Sequence, residues 1–133
     1  MTLRRNSILA ALMIGLIALM GCSSKPSSQG SGDDTLDDFA KCLSDEGVKM
    51  FGAYWCPHCD AQKEMFGASF KNIKYIECSL PERAGQTQYC KDKKIKGYPT
   101  WEFADGTRIE EEATFEQLAN KTGCVLAEGE QNG

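Results

Sequence analysis

A short, mostly apolar run from Val48 to Tyr54 leads directly into Trp55-Cys56-Pro57-His58-Cys59. A helical pattern follows, with Ala61, Met65 and Phe66 on one side. The run suits a buried strand, so the two cysteines fall where a strand ends and a helix begins. A cysteine at a helix N-terminus faces unpaired N–H groups and the positive end of the dipole, which favours its thiolate. Pro57 fits the first helical position, where its missing N–H is no loss. His58, when protonated, adds a second positive influence. Cys59 lies one turn deeper on the same face, placed to close a disulfide with Cys56. Cys56 is therefore expected to be the exposed nucleophile and Cys59 the shielded, resolving thiol. A lowered thiolate pKa stabilises the reduced form and makes the disulfide a better oxidant.

Other uses of the motif fit less well. A C-x-x-C can be half of a zinc site, with Cys78 and Cys90 as the remainder. A zinc ribbon wants two short-spaced pairs, however, and these two are far apart in sequence; no metal is expected. A purely structural disulfide would not need a strand-to-helix turn flanked by aromatics. His58 is the only histidine, which leaves no separate base for a Cys-His hydrolase.

The flanking sequence supplies the remaining elements. Leu36, Phe39, Ala40 and Leu43 recur at helical spacing over Thr35–Glu46, with Gly47 beyond the end. The helix after the motif is expected to run from Pro57 to Phe70, with Gly67 marking a bend or an early end. Ile73–Cys78 alternates as a strand, Ser79–Gly85 is loop, and Gln86–Lys94 is a short helix. Thr100–Ala104 and Thr107–Glu110 flank Asp105-Gly106, a two-residue hairpin signal. Thr114 and Gln117 form a capping box opening a helix to Lys121. The order α-β-α-β-α-β-β-α is an α/β fold with a mixed central sheet and helices on both faces.

The first 34 residues do not belong to that domain. Arg4 and Arg5 precede an uncharged apolar stretch from Ile8 to Met20. The stretch is shorter than the roughly 20 residues of a membrane span, and residues 1–21 read as a signal peptide. The pair Arg4-Arg5 is ordinary in such a leader. Leu19-Met20-Gly21-Cys22 resembles the bacterial lipoprotein signal, in which the cysteine is lipid-modified and becomes N-terminal. Met20 stands where that signal usually carries a small residue. The alternative is a leader with Cys22 incidental. Residues 22–34, rich in Ser and Gly, read as a flexible tether, residues 35–126 as the domain, and 127–133 as a tail. The chain is thus expected on the periplasmic or outer cell-surface side, lipid-anchored to a membrane.

Loss of the leader removes two of the 15 basic residues and none of the 19 acidic ones, moving the net charge from −4 to −6. So acidic a domain is a poor partner for nucleic acid or for anionic lipid. Of the seven cysteines, Cys22 is the lipid site. An even set of six then remains, and export favours disulfides among them.

Gly97-Tyr98-Pro99-Thr100, about forty residues after the C-x-x-C, completes a resemblance to the thioredoxin superfamily over roughly residues 35–124. In that family a cis-proline stands there beside the disulfide, and the backbone of its predecessor pairs with a substrate strand. The resemblance gives these roles to Pro99 and Tyr98, with Trp55 also at the substrate. More narrowly, Phe39-Ala40-Lys41-Cys42, Tyr54–Cys59, Glu77-Cys78, Cys90 and Gly97–Glu102 resemble the thioredoxin-like domain that accompanies bacterial homologues of vitamin K epoxide reductase. That resemblance implies an extracytoplasmic thiol–disulfide oxidoreductase whose only cofactor is its own redox-active disulfide. It would act as a free-standing monomer, oxidising the thiols of substrate proteins and passing electrons to a quinone-linked membrane partner. The alternatives are a reductant or isomerase for exported proteins, cytochrome c maturation included, or a redox-inert metal-binding module.

The same resemblance pairs Cys78 with Cys90, as a structural bridge or as a second redox pair. It leaves Cys42 and Cys124 to each other or unpaired. One departure stands out. Cytosolic thioredoxins carry a buried aspartate six residues before the first active cysteine, and Met50 occupies that position. The Cys59 proton must then pass to water or to another group, such as Glu102.

Overall fold

The computed structural model describes residues 32–126. The leader over 1–21, Cys22, the tether up to residue 31 and the tail over 127–133 lie outside the described residues. Helix α1 spans Gly32–Asp45, strand β1 Lys49–Gly52, helix α2 Pro57–Phe66 and strand β2 Tyr75–Glu77. Helix α3 (Gln88–Asp92), strands β3 (Thr100–Glu102) and β4 (Arg108–Ile109), and helix α4 (Phe115–Thr122) complete the domain. Two 3₁₀ turns, Gly67–Asn72 and Pro81–Arg83, flank β2.

The four strands lie in the order β2-β1-β3-β4. β1 is parallel to β2 and antiparallel to β3, and β4 closes the edge antiparallel to β3. A mixed sheet entered through a β-α-β unit and finished by a hairpin and a helix is the thioredoxin-like arrangement.

Strand alternation divides the interior in two. Met50 and Trp101, paired across β1 and β3, face the larger core. There they join Phe39 and Leu43 of α1, Phe66 of α2, and Phe115 and Leu118 of α4. Phe51 points the other way, into a smaller core with Cys78, Cys90 and Ile95. Each core has its disulfide. Cys42–Cys124 (S–S 2.03 Å) ties α1 to the segment after α4, and Cys78–Cys90 (1.95 Å) ties the end of β2 to α3.

The strands and α3 are shorter than the sequence suggests, and three further differences bear on the shape of the domain. α1 begins at Gly32, inside the stretch assigned to the tether. α2 stops at Phe66 rather than Phe70, because Gly67 takes a φ of 51° that ends the α-helical ladder. The β3–β4 loop has three residues, Ala104-Asp105-Gly106, not two. The Gly106 N–H donates to the Phe103 carbonyl and the Phe103 N–H to the Thr107 carbonyl. Only Gly106 has a positive φ (81°), whereas a two-residue turn of the expected type needs one at both positions.

Candidate active site

The end of β1 and the first turn of α2 carry the motif. Cys56 is the N-cap of α2, with extended backbone angles, and Pro57 is its first helical residue. The Cys56 N–H donates to the Ala53 carbonyl (3.0 Å), and the Asp60 N–H donates back to Cys56 O (3.1 Å). Both motif cysteines are free thiols. Cys59, one turn in, is completely buried. Burial pushes its thiol up to about 12, opposed in part by a hydrogen bond to its sulfur from the Ala53 backbone and by the Lys63 ammonium.

Cys56 keeps 5% exposure, less than the openly exposed nucleophile expected from the sequence. The covering comes from its partners. Its Sγ donates to the carbonyl of Tyr98 at 3.5 Å, and Trp55 packs edge-on against the Tyr98 ring. The two sulfurs are still ranked as the sequence reading has them, with Cys56 outermost.

The Tyr98–Pro99 peptide bond is cis, and Pro99 is fully buried. Trp55 is 39% exposed. Its indole N–H donates to Ser79 Oγ (2.8 Å), and the Arg83 guanidinium lies 5.4 Å from its ring centre. Gln86 donates to the Tyr98 hydroxyl (2.8 Å). Beside these residues opens a cleft of about 380 Å³ lined by His58, Tyr98, Pro99, Glu110, Glu111 and Glu112.

His58 turns outward, with Nδ1 2.7 Å from Glu112 Oε1. A protonated imidazole there faces a carboxylate, so part of its positive charge is spent on Glu112 rather than on Cys56.

Glu102 does not serve Cys59. It belongs to the opposite strand parity from Trp101 and points away from the larger core. Its carboxylate is bound by Arg108 (2.6 Å), Lys93 (3.4 Å) and Lys49 (3.9 Å). Burial opposes its charge, but Arg108 and Lys93 outweigh that and hold its carboxyl below the usual range. Met50 is fully buried in the larger core and offers no proton acceptor. Cys78 and Cys90, bonded to each other on the far face, cannot complete a metal site with the motif.

Several residues here escaped the sequence reading. Gln62, one turn after Cys59, is fully buried. Its Oε1 accepts from Trp101 Nε1 (3.0 Å) and from the Ala113 N–H (2.7 Å), and its Nε2 donates to the Ala113 carbonyl (3.1 Å). It thereby locks α2 to β3 and to the segment carrying Glu112. Tyr75 and Glu77 share one face of β2; Tyr75 lies next to Cys59 at Gly52, and Glu77 accepts a hydrogen bond from the Tyr75 hydroxyl. A methyl group built on Gly52 would stand 2.8 Å from Tyr75 Cε2 and 3.0 Å from both Cys59 Sγ and Tyr75 Oη. The signals were a polar residue on the buried stripe of a helix and a glycine inside a strand, which marks a close approach.

Among known proteins, the chain is similar to thiol-disulfide oxidoreductase LTO1 of Arabidopsis thaliana, 41% identical over 91 residues, which is 65% of this chain and 24% of that protein. It is also similar to the thioredoxin domain-containing protein 5 homolog of Drosophila melanogaster, 38% identical over 93 residues, 59% of this chain and 20% of the fly protein. The chain therefore spans a quarter or less of these relatives' lengths. No family model matches it. The two similarities relate the chain to the thioredoxin superfamily.

Proposed function

We propose that this chain is a thiol–disulfide oxidoreductase working on exported proteins, with Cys56 as the exchanging sulfur and Cys59 as the resolving one. The observation that carries this reading is the pair of free thiols on the first turn of α2. Cys56 lies against the Tyr98 carbonyl and Cys59 is sealed behind it. The similarity to the thiol-disulfide oxidoreductase of Arabidopsis supports the same chemistry.

In the oxidising direction a substrate thiolate attacks Cys56 Sγ of the Cys56–Cys59 disulfide. The S–S bond breaks, and Cys59 leaves as a thiolate and takes up a proton. A second substrate thiolate then attacks the substrate sulfur of the mixed disulfide, releasing Cys56 as a thiolate and the substrate as a disulfide. Two electrons have moved to the enzyme. A quinone-linked membrane protein of the vitamin K epoxide reductase class takes them away, as the sequence resemblance implies. Met50 in place of a buried acid supports oxidation over reduction. The sequence at Cys22 supports anchoring to a membrane through a lipid, on the outer side. Trp55, Tyr98 and Pro99 hold the visiting peptide beside the exchanging sulfur, and His58 and Pro57 favour its thiolate.

Replacing Cys59 with Ala is the deciding experiment. Mixed disulfides through Cys56 are expected to accumulate with thiol proteins of the exporting cell, and a Cys56→Ala, Cys59→Ala chain is expected to capture none. Equal, negligible capture by both chains would overturn the reading.

A further inference from the structure

We propose that Tyr75 and Glu77 form the proton path of Cys59, taking the place of the buried acid that Met50 displaces. The inference rests on the exchange chemistry just described and deepens it.

The need for such a path comes from burial. With its pKa pushed up to about 12, the Cys59 thiol does not ionise unaided near neutrality. Yet it must ionise whenever Cys59 attacks a mixed disulfide, and regain a proton whenever it leaves. The candidates around it are few. Cys56 is its redox partner. The Lys63 ammonium has no lone pair with which to accept. Asp60 lies near Tyr75 but is paired with Lys63 at 3.6 Å. Glu102 is on the other face of the sheet.

Tyr75 remains. Its Oη and the Cys59 Sγ each lie 3.0 Å from the same point, the missing Cβ of Gly52. They are thus at most about 6 Å apart, within reach of a direct contact or one bridging water. The Tyr75 hydroxyl donates to Glu77 Oε2 at 2.8 Å. Glu77 Oε1 accepts from the N–H groups of Ser79 (2.8 Å) and Tyr54 (3.3 Å). Strand alternation puts positions 75 and 77 on one face, and Glu77 is only half-buried, so the path ends near solvent. The Lys63 ammonium sits 4.7 Å from the Tyr75 ring centre, where it favours negative charge passing through this region. Burial and the Glu77 carboxylate both raise the Tyr75 phenol, so Tyr75 relays a proton and does not hold the charge.

The step balances. The Cys59 S–H proton moves to Tyr75 Oη as the Tyr75 proton moves to Glu77 Oε2. The resulting thiolate attacks Cys56 Sγ, the Cys56–Cys59 bond forms, and the visiting sulfur leaves with the electron pair of the broken bond. Glu77 then returns its proton to water. In the other direction the same atoms deliver the proton to the leaving Cys59.

The test mixes the reduced protein with excess 5,5′-dithiobis(2-nitrobenzoate) in stopped flow. The first equivalent of thionitrobenzoate reports attack by Cys56, and the second reports resolution by Cys59. Tyr75→Phe and Glu77→Gln are expected to leave the first phase unchanged and to slow the second by roughly 100-fold near neutrality. The second phase should then climb by about tenfold per pH unit, as hydroxide takes over, where the wild type stays nearly flat. Second phases with the rate and pH slope of the wild type in both variants would overturn the proposal. Absence of the first phase in the wild type would instead count against the exchange chemistry itself. Should a variant not fold, the wild type decides. A resolution rate about twofold or more slower in deuterium oxide supports a relay, and an equal rate overturns it.

Discussion

Gly52→Ala tests the packing at the centre of this site. An alanine in a strand ordinarily gains about 0.5–1 kcal/mol over glycine, through the lower entropy of the unfolded chain. Here the new methyl would meet Tyr75 Cε2 at 2.8 Å and both Cys59 Sγ and Tyr75 Oη at 3.0 Å. Comfortable non-bonded separations are about 3.5–4.0 Å. The ring and the sulfur must therefore retreat by roughly 0.5–1 Å inside a close-packed core. Neither has free travel, since Tyr75 is held by Glu77 and lies against Phe70, and Cys59 is fixed on α2. Overpacking of this kind costs about 1–3 kcal/mol, which against that gain leaves a net loss of about 0–2.5 kcal/mol. Urea unfolding of the reduced protein reads the loss directly, and thermal unfolding reads it as a drop of up to about 10–15 °C. Gly97→Ala is the control: it has no positive φ and nothing within 4 Å of the added methyl, so its stability should stay within about 0.5 kcal/mol. The methyl at 52 also pushes Cys59 and Tyr75 apart, so resolution should slow along with the loss of stability. An alanine at 52 that raises stability and leaves resolution untouched would refute the close approach.

Two further outcomes follow from the same structure. Replacing both Cys42 and Cys124 with Ala opens a loop whose ends are 82 residues apart; the chain-entropy relation gives a loss of about 4–5 kcal/mol in urea unfolding, and a loss under about 1 kcal/mol would count against it. The pKa of Cys59 is raised on folding, from an ordinary thiol value of 9.0 to about 12, so the folded dithiol holds its proton more tightly than the unfolded chain. The stability this adds is complete below about pH 9 and disappears as pH rises towards 12. The disulfide form has no such thiol, so the stability difference between dithiol and disulfide forms should shift with pH in that window. A difference that stays constant there would refute the burial of Cys59.

The sequence shows the order of elements clearly because each carries its own signal. The strand before Cys56, the Pro57 start of α2 and the Thr114–Gln117 capping box are local patterns, and the box is present with both of its hydrogen bonds. Boundaries governed by backbone angles were less visible. That Gly67 and Gly106 take positive φ follows from the path of the chain around the core, which composition does not encode. The site divides in the same way. Cys56 and Cys59 stand out because their chemistry lies in adjacent letters. Tyr75 and Glu77 come from a strand that sequence patterning identifies but cannot place beside α2, and their relation to Cys59 depends on the register Gly52↔Glu77 between β1 and β2. The sequence offers Glu102 as an acceptor, but one step along β3 from Trp101 carries its side chain to the other face of the sheet.

That parity also bears on the second disulfide. Electron relay from Cys78–Cys90 to Cys56–Cys59 would require a thiolate of one pair to reach a sulfur of the other, because exchange proceeds by direct attack. Cys59 lies in the core shared with Met50 and Trp101, and Cys78 and Cys90 in the core shared with Phe51. Adjacent residues of β1, Met50 and Phe51, thus mark opposite sides of the sheet, with the hydrogen-bonded backbone between them. Both Cys78 and Cys90 are fully buried, so no external thiol reaches them in the folded domain either. Cys78 is held in place besides: its N–H donates to the Gly52 carbonyl and its own carbonyl accepts from Thr87, both at 2.8 Å. Bringing Cys78 to Cys59 would break the β1–β2 pairing that sets Tyr75 beside the resolving thiol. The bridge at 78–90 is therefore better suited to holding that register than to conducting through it.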